Sequence, residues 1–125
     1  MTVERPCGCE GHTLDHLLQP TVMALLAAGP QHGYALIEQL SESPILNGTK
    51  PDNTGVYRLL KMLEEQGMVR HEVVDSGAGP SKRVYELTEA GWKCLSQWAA
   101  TLDVYQQAIA KLVAIMRNAA NTDST

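Results

Sequence analysis

The fold is decided by residues 54–88, which read TGVYRLLKMLEEQGM (54–68), VRHEVV (69–74), DSGAGPSK (75–82) and RVYELT (83–88). The first run has large apolar side chains at helical spacing and a glycine where a helix would stop. Two β-type runs follow, separated by glycine, proline and serine, the composition of a turn. A short helix followed by a hairpin with a basic turn is typical of a winged helix-turn-helix. The segment therefore predicts duplex DNA as a ligand more firmly than any catalysis.

Two further helices are expected before this segment. The first covers about residues 14–28 and contains Pro20, so it either begins near Gln19 or is kinked at the proline. The second covers residues 32–42, with a buried stripe formed by Tyr34, Leu36, Ile37 and Leu40. The helix in the deciding segment would be capped by a side-chain oxygen of Asn53 or Thr54.

A long helix without proline is expected from residue 88 to about residue 120. Its large side chains recur at alternating steps of three and four, at Leu95, Trp98, Leu102, Tyr105, Ile109, Leu112 and Met116. This a/d seam spans roughly 30 Å, and a small winged domain can cover about half of it. Because exposed apolar stripes of that size are costly, we expect a second copy of the chain to cover the rest. The alternative is that the helix folds back over its own domain.

The expected fold class is therefore mainly α with a small β-hairpin, a winged helix-turn-helix plus a long C-terminal dimerisation helix. Residues 1–12 carry no apolar periodicity and are expected to form a flexible arm. The winged domain would cover residues 13–88 and the dimerisation helix residues 89–120. Residues 121–125 are expected to be a disordered tail.

Length and hydropathy place further limits. A chain of 125 residues is expected to form one domain. The longest apolar run, residues 22–28, is far too short to span a membrane. The N-terminus has no basic-then-apolar leader, which predicts a cytoplasmic protein. No Ser/His/Asp set, phosphate-binding loop or carboxylate pair is evident, so an enzyme is not expected; only a metal-dependent hydrolase could be argued.

The net charge of −4 argues mildly against a DNA-binding protein, because the phosphate backbone attracts cations. The distribution of charge matters more than the sum, since one face makes the contact. Five basic residues fall in the helix-plus-hairpin segment: Lys50, Arg58, Lys61, Lys82 and Arg83. The acids Glu64, Glu65, Glu86 and Glu89 would lie on the opposite side.

Three motifs occur in order along the chain: GPQHGY (29–34), VY followed by LKMLEEQG (56–57 and 60–67), and GPSKRVYELTEAG (79–91). Together they resemble the PadR family of bacterial transcriptional regulators. The resemblance implies a dimeric winged-helix repressor that pairs through a single C-terminal helix. The sequence differs from the family pattern at the start of the recognition helix, where family members commonly have G-T-L-Y-P. Here the segment is TGVYR (54–58), so Arg58 adds a cation.

The recognition helix supplies the main DNA-binding candidates. Tyr57, Arg58 and Lys61 share one face within a helical turn. Tyr57 would donate to a phosphate, while Arg58 or Lys61 would reach a phosphate or a guanine edge. The alternative is a solvated face paired with Glu64 or Glu65. The remaining candidates are Lys50, Asn53, Thr54, Lys82 and Arg83, of which the last two would meet phosphates at the flanking minor groove or merely keep the hairpin edge soluble.

The C-terminal helix offers a candidate effector site at the dimer interface. Its residues are Leu95, Trp98, Leu102, Tyr105 and Ile109. Trp98, with Leu95 and Tyr105, would line a flat apolar cavity between two such helices, and the resemblance implies planar aromatic inducers or drugs as ligands. The alternative is that a tryptophan on a heptad seam is plain core.

The N-terminal arm offers a candidate metal site. Cys7, Cys9, His12 and His16 provide four nitrogen and sulfur donors, a set that suits tetrahedral zinc. The Cys-x-Cys spacing is tighter than in usual zinc motifs, so a thiol redox switch and a disordered arm remain alternatives. His32 stands among turn residues, where capping or packing is expected rather than chemistry.

These patterns predict a sequence-specific repressor that binds a roughly palindromic operator as a homodimer. Its two recognition helices would lie about 34 Å apart, to enter successive major grooves. A small ligand in the dimer interface, or a metal at the arm, would relieve repression by changing that separation. The alternative from another class is a winged-helix adaptor that binds proteins, which the acidic net charge keeps open.

Overall fold

The computed structural model describes residues 17–43, 52–75, 77 and 79–123. The elements in chain order are α1 (Leu18–Ala27), β1 (Gln31–His32), α2 (Gly33–Ser41), α3 (Asn53–Glu65), β2 (Val69–Val74), β3 (Lys82–Leu87) and α4 (Glu89–Asp123). The predicted class, mainly α with a hairpin and a long terminal helix, is confirmed.

Helix α1 begins at Leu18, which places Pro20 in its first turn. A proline there removes an N–H that has no helical partner in any case, so the helix needs no kink. The expected start near Gln19 is confirmed. Residues 14–16, where the longer version of this helix was predicted to begin, lie outside the described residues.

Helix α2 corrects the predicted buried stripe. Tyr34 is 63% exposed, and Gly33 takes its place in the core together with Leu36, Ile37 and Leu40. These positions follow the spacing i, i+3, i+4 and i+7 from the glycine, and Tyr34 lies one residue off the stripe. A Cβ at residue 33 would lie 2.5 Å from Cε1 of Tyr57, so a larger residue there would require that ring to move.

Helix α3 is capped by Asp52, which precedes the predicted caps. The Thr54 N–H donates to Asp52 Oδ1 at 3.3 Å, and Asn53 and Thr54 are already in the first helical turn. The prediction that one of them caps the helix is therefore wrong. The apolar face is as expected: Val56, Leu60 and Leu63 are buried, and Leu59 and Met68 pack at the edge of the core.

The hairpin is part of a three-stranded antiparallel sheet with the strand order β1-β3-β2. Strands β2 and β3 pair over six residues, and β1 adds Gln31 opposite Tyr85 and His32 opposite Val84. His32 also precedes α2, but its side chain makes no capping hydrogen bond, so of the expected capping or packing only packing is left. Its Nδ1 is buried and has no partner among the described residues.

One core holds the three short helices and the sheet together, and the first turns of α4 pack against it through Cys94, Leu95 and Trp98. Beyond them α4 leaves the domain and continues to Asp123. Residues 121–123, predicted as part of a disordered tail, are still helical, because no glycine or proline interrupts the helix after Gly91. Within the described residues, no helix combines the length and apolar character needed to cross a bilayer.

Candidate nucleic-acid interface

The predicted face of α3 is exposed along its length. Tyr57 is 45% exposed, and Arg58 and Lys61 are exposed beside it. Asn53 and Thr54 are exposed in the first turn of the same helix. Five of the predicted DNA-binding residues therefore share the side of α3 that faces away from the core. Lys50 lies outside the described residues.

The cations of this region make no ion pairs within the described part of the chain. They are Arg58 and Lys61 on α3 and Lys82 and Arg83 on β3, and together with the exposed face of α3 they are called the cationic surface here. Ion pairs do occur elsewhere, Arg70 with Glu86 at 2.5 Å and Lys93 with Glu89 at 3.9 Å, and Nδ1 of His71 lies 2.6 Å from a carboxylate oxygen of Glu64.

Glu64, one of the two acids that could have paired with the cations of α3, has another partner. Its Oε2 lies 2.6 Å from Nδ1 of His71 on β2, rather than near Lys61 one turn earlier. The ring of His71 in turn contacts Tyr85, with centroids 5.6 Å apart. Glu64 is thus used to hold α3 against the sheet. Glu65 makes no ion pair with either cation of α3 among the described residues.

The start of β3 lies close to the start of α2. His32 pairs with Val84, so the antiparallel register carries β3 past residue 33 at Arg83. Alternation along the strand puts Arg83 on the same face of the sheet as the buried Tyr85. This is the face that packs on the helices.

A cavity of about 540 Å³ lies between these elements. Its lining includes His32, Gly33, Tyr34, Tyr57, Lys82 and Arg83. The structure thus brings the predicted cations of the hairpin to the same groove as Tyr57 of α3. Tyr34 was missed as a surface residue. No local signal marked it, because Gly33 is buried by the ring of Tyr57, which belongs to another helix.

A second cavity, of about 340 Å³, lies between the start of α1 and α4. It is lined by Leu17, Cys94, Gln97, Trp98, Thr101 and Tyr105. Two of the five predicted effector residues, Trp98 and Tyr105, line it. Leu95 instead packs against the core, and Leu102 and Ile109 are not in its lining. Sequence reasoning missed Cys94 and Thr101, although spacings of four and three place them on the helix face of Trp98.

The outer half of α4 carries an exposed apolar stripe. Its members are Tyr105, Ile109, Leu112 and Met116, each between 48% and 58% exposed, and they are called the outer stripe here. The same heptad spacing that packs Leu95 and Trp98 against the domain therefore continues where the domain no longer covers the helix. The predicted zinc ligands Cys7, Cys9, His12 and His16 lie outside the described residues. Within the described ones, no group of His, Cys, Asp and Glu is arranged to hold a metal ion.

Comparison with known protein families decides the classification. Residues 22–97 match the model of the transcriptional regulator PadR-like family, which is well over half of the chain. The chain belongs to this family. The matched region runs from α1 into the first turns of α4 and includes the whole hairpin. The predicted family is thereby confirmed.

Solved structures show the same fold. A candidate transcriptional regulator from Thermoplasma acidophilum is 28% identical, with a TM-score of 0.70 over 82% of this chain and 96% of that one. A PadR family regulator from Eggerthella lenta is 25% identical, with a TM-score of 0.68 over 84% and 91%. Bacillus subtilis PadR, solved in complex with operator DNA, is 23% identical and matches 66% of this chain and 46% of that one at a TM-score of 0.59. No curated protein sequence matches the chain significantly.

Proposed function

We propose that this PadR-family regulator is a sequence-specific repressor that binds a palindromic operator as a homodimer. The observation that carries the proposal is the cationic surface, whose four basic side chains have no acidic partner among the described residues. Cations without acidic partners attract a polyanion even when the whole chain is acidic. Bacillus subtilis PadR, which shares the fold, was solved with operator DNA, and this supports the same ligand here.

In the proposed complex, α3 enters the major groove. Arg58 has the donor geometry to contact O6 and N7 of a guanine, and Lys61, one turn later, would contact a base or a phosphate. Tyr57 and the first-turn residues Asn53 and Thr54 would donate to backbone phosphates. These contacts position the helix, and Arg58 supplies most of the discrimination between bases.

The hairpin, or wing, would contact the neighbouring backbone. Lys82 and Arg83 lie at the start of β3, beside the groove that also contains Tyr57. This placement favours phosphates on the strand that flanks the major-groove site. Lys50, before α3, is proposed as a further phosphate contact. The alternative role for the wing cations, protecting a sheet edge, does not account for a shared groove with α3.

A second copy would cover the outer stripe. Four large side chains at heptad spacing, each about half exposed, form a seam that a second α4 can pack against. Pairing through this seam would place two recognition helices about 34 Å apart, the spacing of successive major grooves. The pairing helices lie beyond the winged domain, so they leave the cationic surface free.

The cavity beside Trp98 is a proposed effector site. Apolar walls from Trp98 and Tyr105 suit a planar aromatic ligand, and the cavity borders the inner end of the proposed dimer seam. A ligand there would alter the path of α4 and so relieve repression. Cys7, Cys9, His12 and His16 remain a proposed zinc site, which the zinc content of the purified protein would test. A cytoplasmic location remains a prediction.

The operator itself provides the test of the proposed function. Full-length protein is used to select duplexes from a random-sequence pool, and the enriched sequence is then footprinted. We expect an inverted repeat with half-site centres about 10 base pairs apart, or a multiple of that. A protein-interaction adaptor would enrich no sequence. Absence of enrichment at low salt would contradict the proposed DNA-binding function.

A further inference from the structure

The first turn of α4 contacts the turn that joins α3 to β2, and Thr88 makes most of the bonds. Its Oγ1 donates to the carbonyl oxygen of Gly67 at 2.6 Å and accepts from the Gly91 N–H at 3.1 Å. Its backbone N–H donates to the carbonyl oxygen of Met68 at 3.1 Å. One residue therefore caps α4 and also ties it to the end of α3.

Gly91 brings the two segments together at a distance that no other residue allows. A Cβ at this position would overlap the carbonyl oxygen of Met68 and lie 3.1 Å from Cδ2 of Leu87. Because the first obstacle is backbone, no rotamer change would relieve it. The helix axis of α4 can pass this close to the α3–β2 turn only because residue 91 has no side chain.

The turn is itself held rigidly to α3. The Met68 N–H donates to the Leu63 carbonyl at 2.9 Å and the Gly67 N–H to the Glu64 carbonyl at 3.0 Å. With Gly67 at a φ of +77°, these bonds form a Schellman motif. The carbonyl groups that Thr88 contacts therefore have a fixed position relative to the recognition helix.

We propose that Thr88 and Gly91 are positioning residues that set the direction of α4 relative to α3, and with it the separation of the two recognition helices in the dimer. This inference rests on the proposed dimer. Among the described residues, α4 also packs on the core through Cys94, Leu95 and Trp98, and such apolar contacts do not fix an orientation as directional hydrogen bonds do.

The length of α4 makes this contact mechanically important. Ile109, in the outer stripe, is 18 residues beyond Gly91, which is about 27 Å of helix. A rotation of about 5° at the joint would shift the seam relative to α3 by roughly 2 Å over that length. Each subunit contributes such a shift. If the contact between α4 and the α3–β2 turn were mobile, the distance between the two recognition helices would vary too much to match two successive major grooves.

Three substitutions of Thr88 separate capping from positioning. Thr88→Ser keeps a hydroxyl that both donates and accepts. Thr88→Asp is a good helix cap and still accepts from Gly91, but a carboxylate has no proton to donate to Gly67. Thr88→Val keeps the shape and loses both bonds. A residue that only caps α4 would tolerate aspartate.

The experiment measures the distance between the two recognition helices without DNA. Full-length protein carries Cys7→Ser, Cys9→Ser and Cys94→Ser, and Asn53→Cys is labelled with a nitroxide for pulsed dipolar spectroscopy. We expect a narrow distance distribution for the parent and for Thr88→Ser. For Thr88→Asp and Thr88→Val we expect a distribution at least about twofold broader, because α4 samples more orientations. Circular dichroism confirms that each variant is folded.

The outcomes are distinguishable. If the distance distribution of Thr88→Asp is as narrow as that of the parent, the inference is overturned and Thr88 only caps α4. If the parent shows no dipolar coupling between subunits, the dimer fails and the inference fails with it. If valine prevents folding, the pair of serine and aspartate variants still decides between the two roles.

Discussion

The cationic surface and the outer stripe are two exposed surfaces to which the described residues supply no partner, and they differ in chemistry. One carries four cations without acidic partners, and the other carries four large apolar side chains. The first has the chemistry that binds phosphates, and the second has the chemistry that binds another apolar surface. Each surface therefore indicates its partner by the groups that it lacks. The cationic surface lacks counter-charges, which indicates a polyanion, and the outer stripe lacks an apolar cover, which indicates another apolar surface.

The largest effect is expected from adding charge to the outer stripe. Ile109→Glu combined with Leu112→Glu should give monomers of 13.6 kDa in sedimentation equilibrium, because carboxylates cannot be buried in an apolar seam. Operator affinity should then fall by at least about 100-fold, since two linked half-sites become independent. Gln107→Glu, on the exposed polar side of α4, is the control and should remain dimeric. A double variant of unchanged mass would show that the stripe is not the interface.

Removing cations from α3 should give the complementary result. For Arg58→Ala with Lys61→Ala we expect a loss of operator affinity of at least about 30-fold, because each half-site loses at least one base contact at about 1–3 kcal/mol. The mass of the dimer should not change. Lys111→Ala removes an exposed cation from α4 and serves as the matched control. Normal binding by the double variant would exclude this face of α3 from the DNA contact.

Salt concentration should affect operator binding strongly and dimer dissociation weakly. The logarithm of operator affinity should fall linearly with the logarithm of KCl concentration, by about 0.9 for each phosphate contacted. Lys82→Ala should reduce this slope by about one per subunit. Dimer dissociation should respond little to the same salt series, because an apolar seam releases no counterions. The control is Lys93→Ala, whose lysine already pairs with Glu89. An operator affinity independent of salt would favour the adaptor.

The smallest effects on stability and binding are expected at two neighbouring positions at the start of α3. Asp52→Ala should lower the free energy of unfolding by about 1 kcal/mol, the usual contribution of a helix cap. Asn53→Ala should leave thermal stability unchanged and weaken only DNA binding, since its side chain makes no capping hydrogen bond among the described residues. Calorimetry on both variants checks the assignment. Equal stability losses would mean that the cap is shared between the two residues.

Local spacing explains what could be predicted of the fold. The helical period of the leucines in α3, the β-type runs on either side of residues 75–81 and the heptad seam of α4 are all local signals. They located every long element and the exposed side of α3. Local spacing failed at β1, because a two-residue strand has no period to detect. It failed again at Tyr34, whose exposure depends on the ring of Tyr57 covering Gly33 from another helix.

The candidate site divides in the same manner. Which residues are basic, and which of them share a face of α3, followed from the sequence. The sequence did not predict that Glu64 pairs with His71 instead of Lys61, because this pairing depends on how α3 lies against β2. The cavity that joins Tyr57 to Lys82 and Arg83 likewise depends on the register of β3 against β1.

The amino-acid sequence alone determined the order of the long elements, the family, the basic face of α3 and the apolar seam of α4, because these depend on residue type and on spacing along one element. Only the tertiary structure decided which acids were already engaged, which tyrosine was outside, and how closely α4 approaches the end of α3. Those features depend on contacts between residues far apart in the chain, such as Gly91 with Met68, and their distances are set when the whole core packs.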